Sequence, residues 1–365
     1  MIRLLGQFAI LLISIGASAQ TLVLTELCDL PSEVSETSGL ENGPDGCFWT
    51  HNDSGNPSTL YCVDTIGAVQ RTVEIAGDPN TDWEELAKDD EGNIYIGNFG
   101  NNSLFRTDLR IVKIPSIDTC TGTAYVTDTI LFSYPDQLDF PPNGDYGNFD
   151  MEAMVWMEDT LHLFSKDRSS PSTGYSKHYK LPAAGGTYQA QLVDSLLTGG
   201  ISFVFSVTGA DLSEDNSQLV LLNSDRMWLC RDFVGSDFFG GTVSELSLGN
   251  FSQKEGVSFR DGFIYLTDEE SFGLGGKMYR LHPDVFISVQ EIQLDAQVIY
   301  DSNYRLKSIK IADEVEWQLL SLDGKLLQKG TAKEELIQSD FQLEAGVFVI
   351  QLQGDSSQKA MMIRL

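Results

Sequence analysis

Basic residues are scarce in this sequence. Its 365 residues include 24 Lys+Arg and 4 His against 53 Asp+Glu, and the formal net charge is −29. A surface of this sign repels nucleic acid and anionic lipid, so no nucleic-acid partner is expected. The same surface suits cations, cationic ligands or simple solubility.

Cysteine is also scarce, and the common catalytic motifs are missing. There are 5 Cys, none in a C-x-x-C spacing, which argues against a zinc site. Neither a G-x-S-x-G elbow nor an H-E-x-x-H pair occurs. An odd number of cysteines leaves at least one outside intrachain disulfides. Cys47 and Cys62 lie on adjacent predicted strands and are the candidate pair.

Long apolar runs are absent except at the N-terminus. Residues 1–19, "MIRLLGQFAILLISIGASA", combine one basic residue, a short apolar run and an Ala-Ser-Ala end. This pattern predicts a secretory signal peptide, which leaves a mature chain that begins near Gln20. No other run approaches the roughly 18 apolar residues that a span requires, so no transmembrane segment is predicted. The expected location is secreted or on the outer cell surface.

The sequence does contain an internal repeat. Five segments share a polar head, a small or acidic residue, an aliphatic residue, a turn and an alternating strand that ends in Asn or Asp. The segments are "ETSGLENGPDGCFWTHND", "DWEELAKDDEGNIYIGN", "DMEAMVWMEDTLHLFSKD", "VTGADLSEDNSQLVLLNSD" and "KEGVSFRDGFIYLTDE". Their heads align at Ser38, Glu84, Glu152, Thr208 and Glu255.

Further strands follow each of these segments. β-Branched and aromatic residues alternate with polar ones in stretches such as "TLYCVDT", "LRIVKI" and "MWLCRDF". The fifth unit lacks its outermost strand, which "TLVLTEL" at 21–27 can supply. Four strands per unit, closed by the N-terminal segment, predict an all-β, five-bladed β-propeller over residues 20–285. Six blades remain the alternative if the long second interval, with "PDQLDFPPNGDYGNFD", hides an irregular blade.

The repeat heads are predicted to meet on one rim of the propeller. The first strand of each blade lines the channel and begins on the face where the second strand ends, so heads and strand-end acids converge there. The candidate ligand-binding residues of this rim are Asp53, Asp82, Glu84, Glu152, Asp167, Asp225, Glu255 and Asp268. The predicted rim also carries Asp150, Glu269, Lys166, Arg168 and Arg226.

A ring of carboxylates suggests a metal ion. Calcium takes six to eight oxygen ligands from carboxylates, amides, carbonyls and water. Because Glu84, Glu152 and Glu255 recur at the same repeat position, they are the candidate metal ligands, and calcium is the predicted cofactor. The alternative is that the acids form ordinary Asx turns and a solvated channel wall. Among the aromatic residues, Trp49, Trp83, Phe99, Tyr146 and Phe149 could stack a sugar, although Trp83 could equally wedge between blades.

The C-terminal residues, 286–365, form a separate unit in this interpretation. Two predicted hairpins, about Asp323-Gly324 and Gly354-Asp355, indicate a small β-sandwich. The "LDGK" turn at 322–325, the strand at 343–350 and the end "IRL" resemble the C-terminal sorting domain of cargo of the type IX secretion system of Bacteroidetes. The usual Tyr-Pro-Asn-Pro opening is absent, and Phe348 replaces a Tyr. The resemblance implies export machinery as a partner.

The motifs of residues 36–170 resemble a second group. "NDSGNPSTLYCVDT", "DWEELA" and "GNIYIGNFGNN", in this order, resemble secreted propellers of the SdiA-regulated and phytase-like group. Phytase-like members would imply calcium held by propeller acids and hydrolysis of phosphate esters.

Three functional hypotheses follow from the sequence. The first is an exported propeller whose acidic rim binds calcium and an unidentified ligand. The second is a calcium-dependent hydrolase of phosphate or other esters, and the third is a structural or adhesion module.

Overall fold

The structure is a computed structural model in which β-strands predominate. It describes residues 24–120, 122–142, 146–199, 206–270, 275–283, 296–300, 306–311, 314–320, 326–337, 347–353 and 358–364. Within these ranges the only helices are the 3-10 turns Ser32–Val34 and Pro44–Gly46. No helix in the described part has the length and apolar character needed to cross a bilayer. The predicted signal peptide, 1–19, lies outside the described residues.

The described residues before 284 contain twenty-two strands. They are β1 (Thr25–Asp29), β2 (Thr37–Asn42), β3 (Phe48–Asn52), β4 (Thr59–Val63), β5 (Val69–Ala76), β6 (Trp83–Lys88), β7 (Ile94–Asn98), β8 (Arg110–Ile114), β9 (Gly122–Tyr125), β10 (Asp128–Ser133), β11 (Asp150–Met157), β12 (Thr160–Lys166), β13 (Tyr175–Pro182), β14 (Gly186–Gln189), β15 (Gln191–Leu197), β16 (Gly209–Leu212), β17 (Gln218–Leu222), β18 (Arg226–Arg231), β19 (Thr242–Ser247), β20 (Lys254–Arg260), β21 (Phe263–Asp268) and β22 (Lys277–Leu281).

These strands form five antiparallel blades. From the inside outward, the blades are β2-β3-β4-β5, β6-β7-β8-β10, β11-β12-β13-β15, β16-β17-β18-β19 and β20-β21-β22-β1. The inner strands contact one another in the cyclic order β2, β6, β11, β16 and β20, and β20 returns to β2. The five-bladed fold predicted from the repeat is therefore confirmed. The stretch 134–149, where a sixth blade was the alternative, is a connection with no strand in its described residues.

The ring closes as the repeat predicts. β1 pairs antiparallel with β22, so the N-terminal strand completes the fifth blade, with Thr25 opposite Arg280 and Asp29 opposite Lys277. The prediction placed this strand at 21–27, and the structure begins it at Thr25. Its neighbours Leu24, Leu27 and Leu30 are partly buried against blade 5 and its surroundings.

Two blades carry a fifth strand that the sequence pattern does not predict. β9 leaves the second blade between β8 and β10 and pairs in parallel with β5 of the first blade. In the same way, β14 leaves the third blade between β13 and β15 and pairs in parallel with β10 of the second. Each connection therefore covers the outer edge of the preceding blade and joins blades 1, 2 and 3.

Apolar side chains fill the spaces between blades. The indole of Trp83, fully buried, packs against Trp49 and Leu60 of the first blade, so it wedges between blades rather than facing a ligand. A disulfide joins Cys47 and Cys62, whose Cα atoms lie 5.4 Å apart, as the sequence suggested. Cys28, Cys120 and Cys230 are free.

The described strands after residue 295 form two further antiparallel sheets. They are β23 (Ala296–Tyr300), β24 (Leu306–Ile311), β25 (Val315–Leu320), β26 (Leu326–Ala332), β27 (Glu335–Ile337), β28 (Val347–Gln353) and β29 (Gln358–Arg364). One sheet has the order β23-β24-β27 and the other β26-β25-β28-β29. That the two sheets form a sandwich stays a prediction, as do the domain boundaries. The "LDGK" turn at 322–325 lies outside the described residues.

Candidate metal centre at the mouth of the channel

Each recurring glutamate occupies a β-bulge on an inner strand. In the pairing of β6 with β7, Trp83 lies opposite Asn98 and Glu85 lies opposite Gly97. Glu84 is therefore an extra residue of β6 that has no partner on β7. Glu152 of β11 and Glu255 of β20 are extra residues of the same kind. A bulge redirects the side chain at the extra position, which is why such bulges are frequent beside functional sites. We call the end of the channel where these strands begin the upper face.

Three carboxylates from two blades converge at the upper face. Asp53 directly follows β3, Asp82 directly precedes β6, and Glu84 is the bulged residue of β6. One carboxylate oxygen from each lies within 4.8 Å of the other two. Two oxygens that bind one calcium ion at 2.3–2.6 Å can lie at most about 5 Å apart. The spacing therefore fits a shared divalent cation, and we call these three residues the cation site.

A glycine makes room for the cation site. A Cβ atom built on Gly100 would lie 2.6 Å from the carboxyl carbon of Asp82 and closer still to Oε1 of Glu84. Arg106 holds this loop, since its guanidinium donates to the carbonyl of Gly100 at 2.7 Å. The same guanidinium lies 3.8 Å from Asp82, which is a loose ion pair. Neither Gly100 nor Arg106 was among the sequence candidates, because nothing in a loop glycine or arginine marks it in the repeat.

Glu152 forms ion pairs with two cationic side chains, whereas Glu84 forms none within 4 Å among the described residues. Oε1 of Glu152 lies 3.0 Å from the ammonium of Lys166 and 3.3 Å from the guanidinium of Arg168. Arg168 also donates from Nε to Asp150 at 2.6 Å. This side of the channel mouth is therefore close to electrically balanced, and Glu152 is not one of the three carboxylates that fit one ion.

Glu255 and Glu269 present carboxylate oxygens with unmet hydrogen-bonding capacity. Both side chains are more than nine-tenths buried. Oε2 of Glu255 and Oε1 of Glu269 have no hydrogen-bond partner among the described residues. Buried polar atoms are nearly always paired, so such atoms call for a ligand, an ion or a proton. Their charges act on Asp53, which places them beside the cation site.

Burial and mutual repulsion raise the proton affinity of these carboxyl groups. Burial, with the nearby charge of Glu255, raises the pKa of Asp53 to about 7. Burial first, and then Glu152 and Asp53, raise the pKa of Glu84 well above its usual value. Burial and Glu255 raise the pKa of Glu269 to about 11. A cation bound among these groups would relieve both effects.

Three of the sequence candidates serve other contacts. Asp167 accepts hydrogen bonds from its own loop, including the backbone N–H of Ser169 at 2.9 Å. Asp225 pairs with the guanidinium of Arg226 at 2.9 Å. Asp268 accepts from the hydroxyl of Tyr279 at 2.8 Å. The structure thus brings Asp53, Asp82 and Glu84 together, with Glu152 and Glu255 nearby, and gives the other three candidates structural partners.

The hydroxyl heads of the repeat join neighbouring blades. Ser38 donates to the carbonyl of Glu84 at 2.7 Å, and Thr208 donates to the carbonyl of Lys254 at 2.6 Å. Strand-end asparagines have a related role, because Asn98 accepts from the backbone N–H of Asp82. The polar ends of the repeat therefore fix the entry of each inner strand.

A second carboxylate group lies deeper in the channel. Glu85, fully buried, accepts the backbone N–H of Ala210 on the opposite side of the ring at 3.0 Å. Burial raises the pKa of Glu85 well above its usual value, and it does the same for Asp211. Adjacent residues Glu84 and Glu85 can both face the channel because the bulge interrupts the alternation of the strand.

Three of the histidines, and most aromatic candidates, are packing residues. Burial lowers the pKa of His51 to about 4, and His162 bonds to His178 at 2.9 Å within an aromatic cluster. Of the five aromatic residues proposed to stack a sugar, four are buried and only Tyr146 is exposed. The buried four are Trp49, Trp83, Phe99 and Phe149.

Fold and site together define a five-bladed β-propeller with a carboxylate cluster at one mouth of its channel. No protein-family model and no curated protein matches the sequence. The solved structures similar to it include PorZ, a surface component of the type IX secretion system of Porphyromonas gingivalis, at 10% identity and a TM-score of 0.31. That match covers 92% of this chain and 46% of PorZ, so the chain spans about half of that protein.

Two enzymes are also among the similar structures. A streptogramin B lyase matches at 13% identity and a TM-score of 0.35, covering 94% of this chain and 98% of the lyase. The gluconolactonase XC5397 of Xanthomonas campestris matches at 9% identity and a TM-score of 0.39, covering 73% and 96%. Likeness at this level carries no argument about activity, and the five-bladed architecture rests on the strand pairing described above.

Proposed function

We propose that the protein is an exported β-propeller that binds calcium at the upper mouth of its channel and uses that ion to hold a ligand. The observation that carries the proposal is the convergence of Asp53, Asp82 and Glu84 within 4.8 Å. Their oxygens match the ligand preference of calcium, and the cluster contains neither the thiolates nor the imidazoles that favour zinc. The unpaired oxygens of Glu255 and Glu269 add support, because a cation would compensate them.

Export is part of the same proposal. The signal-peptide pattern at 1–19 and the resemblance of the C-terminal region to a type IX sorting domain both favour passage out of the cytoplasm. The disulfide between Cys47 and Cys62 supports an oxidising compartment, where such bonds persist. Export machinery would then be the partner of the C-terminal region.

Calcium-dependent ester hydrolysis is the second candidate. The observation that favours it is Asp53, a carboxyl group of the cation site whose pKa burial and Glu255 raise to about 7 in the cation-free protein. A group that titrates near neutrality is suited to take a proton from a water molecule. Loss of turnover with retained calcium binding in a variant of Glu152 would favour this candidate over a binding protein. A purely structural module predicts neither calcium binding nor turnover.

Calorimetric titration of calcium into the metal-stripped protein tests the first proposal. We expect saturable binding to the wild type and loss of that binding in Glu84→Gln, which keeps the size of the side chain. Asp225→Asn is the matched control, because Asp225 pairs with Arg226 outside the cation site and its loss should leave calcium affinity unchanged. Absence of binding to the folded wild type, or equal loss in both variants, would contradict the proposal.

A further inference from the structure

Two loops of the upper face expose large apolar side chains next to the cation site. Phe105 is 59% exposed, Leu138 83%, Phe140 46% and Tyr146 68%. Phe105 lies between β7 and β8, and the other three lie between β10 and β11. In a propeller both connections lie on the face where inner strands begin. We call these four residues the apolar platform.

The two loops meet at one buried residue. The carbonyl of Leu104 accepts a hydrogen bond from the side chain of Gln137 at 3.1 Å. A Cβ built on Gly147 would lie 3.0 Å from Cδ1 of Leu104. Phe105, Leu138 and Tyr146 each adjoin one of these contacting residues in the chain. Phe105, Leu138 and Tyr146 thus lie on segments that contact one another, and Phe140 follows Leu138 by two residues in the same connection.

The same loops contact the charged groups of the site. Arg106, next to Phe105, pairs with Asp82 at 3.8 Å. Gly147, next to Tyr146, accepts the backbone N–H of Arg168 at 3.1 Å. A ligand that touches the cation at the channel mouth can therefore reach the platform without crossing a blade.

Charge decides which ligand suits this combination. Seven carboxyl groups surround the mouth: Asp53, Asp82, Glu84, Asp150, Glu152, Glu255 and Glu269. Their described cationic neighbours are Arg106, Lys166 and Arg168. Each of these three cationic groups is already paired with a carboxylate of the mouth, so the mouth offers a phosphorylated ligand no free cationic side chain among the described residues. A neutral ligand with several oxygens can bind calcium without such a side chain.

We propose that the ligand is a neutral carbohydrate, whose vicinal hydroxyl groups bind the cation while its apolar ring face packs on Phe105, Phe140 and Tyr146. This proposal rests on the proposed function, since the cation is one of the two contacts. It differs from the sequence hypothesis in the residues that stack: of the earlier aromatic candidates only Tyr146 is retained, and Phe105 and Phe140 are new. Aromatic faces supply large contact area at a small entropic cost, which suits a weakly hydrophobic sugar face.

The test uses an array of neutral oligosaccharides built from glucose, mannose, xylose or N-acetylglucosamine, with phosphorylated sugars and a poly-lysine peptide printed beside them. The wild-type protein is applied with calcium and with chelator, and the double variant Phe140→Ser/Tyr146→Ser is applied in the same way. Ile66→Ser is the matched control, because Ile66 is 80% exposed in the β4–β5 turn on the opposite face.

We expect retention on at least one neutral glycan in calcium, loss of retention in chelator, and at least a tenfold loss of affinity in the double variant but not in Ile66→Ser. Calcium titration of the double variant should match that of the wild type. Normal calcium binding with no neutral glycan retained, or retention of poly-lysine or phosphorylated sugars alone, overturns the carbohydrate proposal and leaves the calcium proposal standing. Absent calcium binding in the wild type overturns the calcium proposal first.

Discussion

Replacement of Asp53 by Asn should stabilise the cation-free protein and abolish its response to calcium. Burial and Glu255 raise the pKa of Asp53 to about 7 from its ordinary value of 3.8. A raised carboxyl pKa means that the folded state retains a proton over a pH range in which the unfolded chain has lost it. Folding stability therefore falls as the pH rises from about 4 to about 7, and it stays lower above that range.

The size of this effect follows from the shift. Each pKa unit corresponds to about 1.4 kcal/mol, so the ionised Asp53 costs at most about 4 kcal/mol in the cation-free protein. Water at the partly exposed mouth screens part of this destabilisation. Half of it, about 2 kcal/mol in the free energy of unfolding, would still be easily measured. The amide of Asn cannot ionise, and its oxygen can still accept the backbone N–H of Ser54, as Asp53 does. Asp53→Asn should therefore lack the destabilisation caused by the ionised carboxylate and keep the hydrogen bond from the N–H of Ser54.

Urea denaturation of the metal-stripped proteins at pH 4 and pH 8 provides the assay. We expect equal stability at pH 4 and a more stable Asp53→Asn variant at pH 8. Addition of calcium at pH 8 should then reverse the order, because only the wild type gains binding free energy. A variant that is less stable than the wild type at pH 8 without calcium, or one that gains equally from calcium, would refute the reasoning.

Three further predictions concern the surroundings of the site. Gly100→Ala should lower calcium affinity at least tenfold in a calorimetric titration, with an unchanged circular dichroism spectrum, because its Cβ would enter the space of the site's carboxylates. Replacement of Cys47 and Cys62 by Ser should lower the free energy of unfolding by about 3 kcal/mol in urea titrations, since their sequence separation is 15; no change would contradict the disulfide. Glu85→Ala should cost about 2 kcal/mol by leaving the N–H of Ala210 unpaired, while calcium affinity stays within twofold.

Much of the fold is predictable because the blade repeat is periodic. The recurrence of the repeat segments and of the strands that follow them, with the missing outer strand of the fifth unit, correctly predicts four strands per blade and closure by the N-terminus. β9 and β14 are not predicted in this way, because each has four residues that are mostly exposed and show little alternation of apolar and polar side chains. Their parallel pairing also depends on the outer edge of another blade, which lies far away in the sequence.

The candidate site is only partly predictable for a related reason. A repeat position identifies Glu84, Glu152 and Glu255 as equivalent, and all three do occupy bulges on inner strands. Residues at the same repeat position can nevertheless have different charged neighbours. Glu152 acquires Lys166 as a partner from the adjacent strand, whereas Glu84 receives two further carboxylates from the neighbouring loops. Such differences arise from the residues at the ends of the repeat segments, which vary from one unit to the next.

The parallel strands β9 and β14 divide the ring into two parts that differ in how their blades are joined. β9 and β14 join blades 1 to 3 within the first 197 residues, so we expect these three blades to associate before the ring closes. Among the described residues no parallel strand joins blade 4 or blade 5 to a neighbouring blade, and the ring is complete only when β1 pairs with β22. An open arc with two unsatisfied ends is the state in which the chain is most exposed to aggregation and proteolysis. We therefore expect a chaperone to matter most after blades 1 to 3 have associated and before β1 pairs with β22.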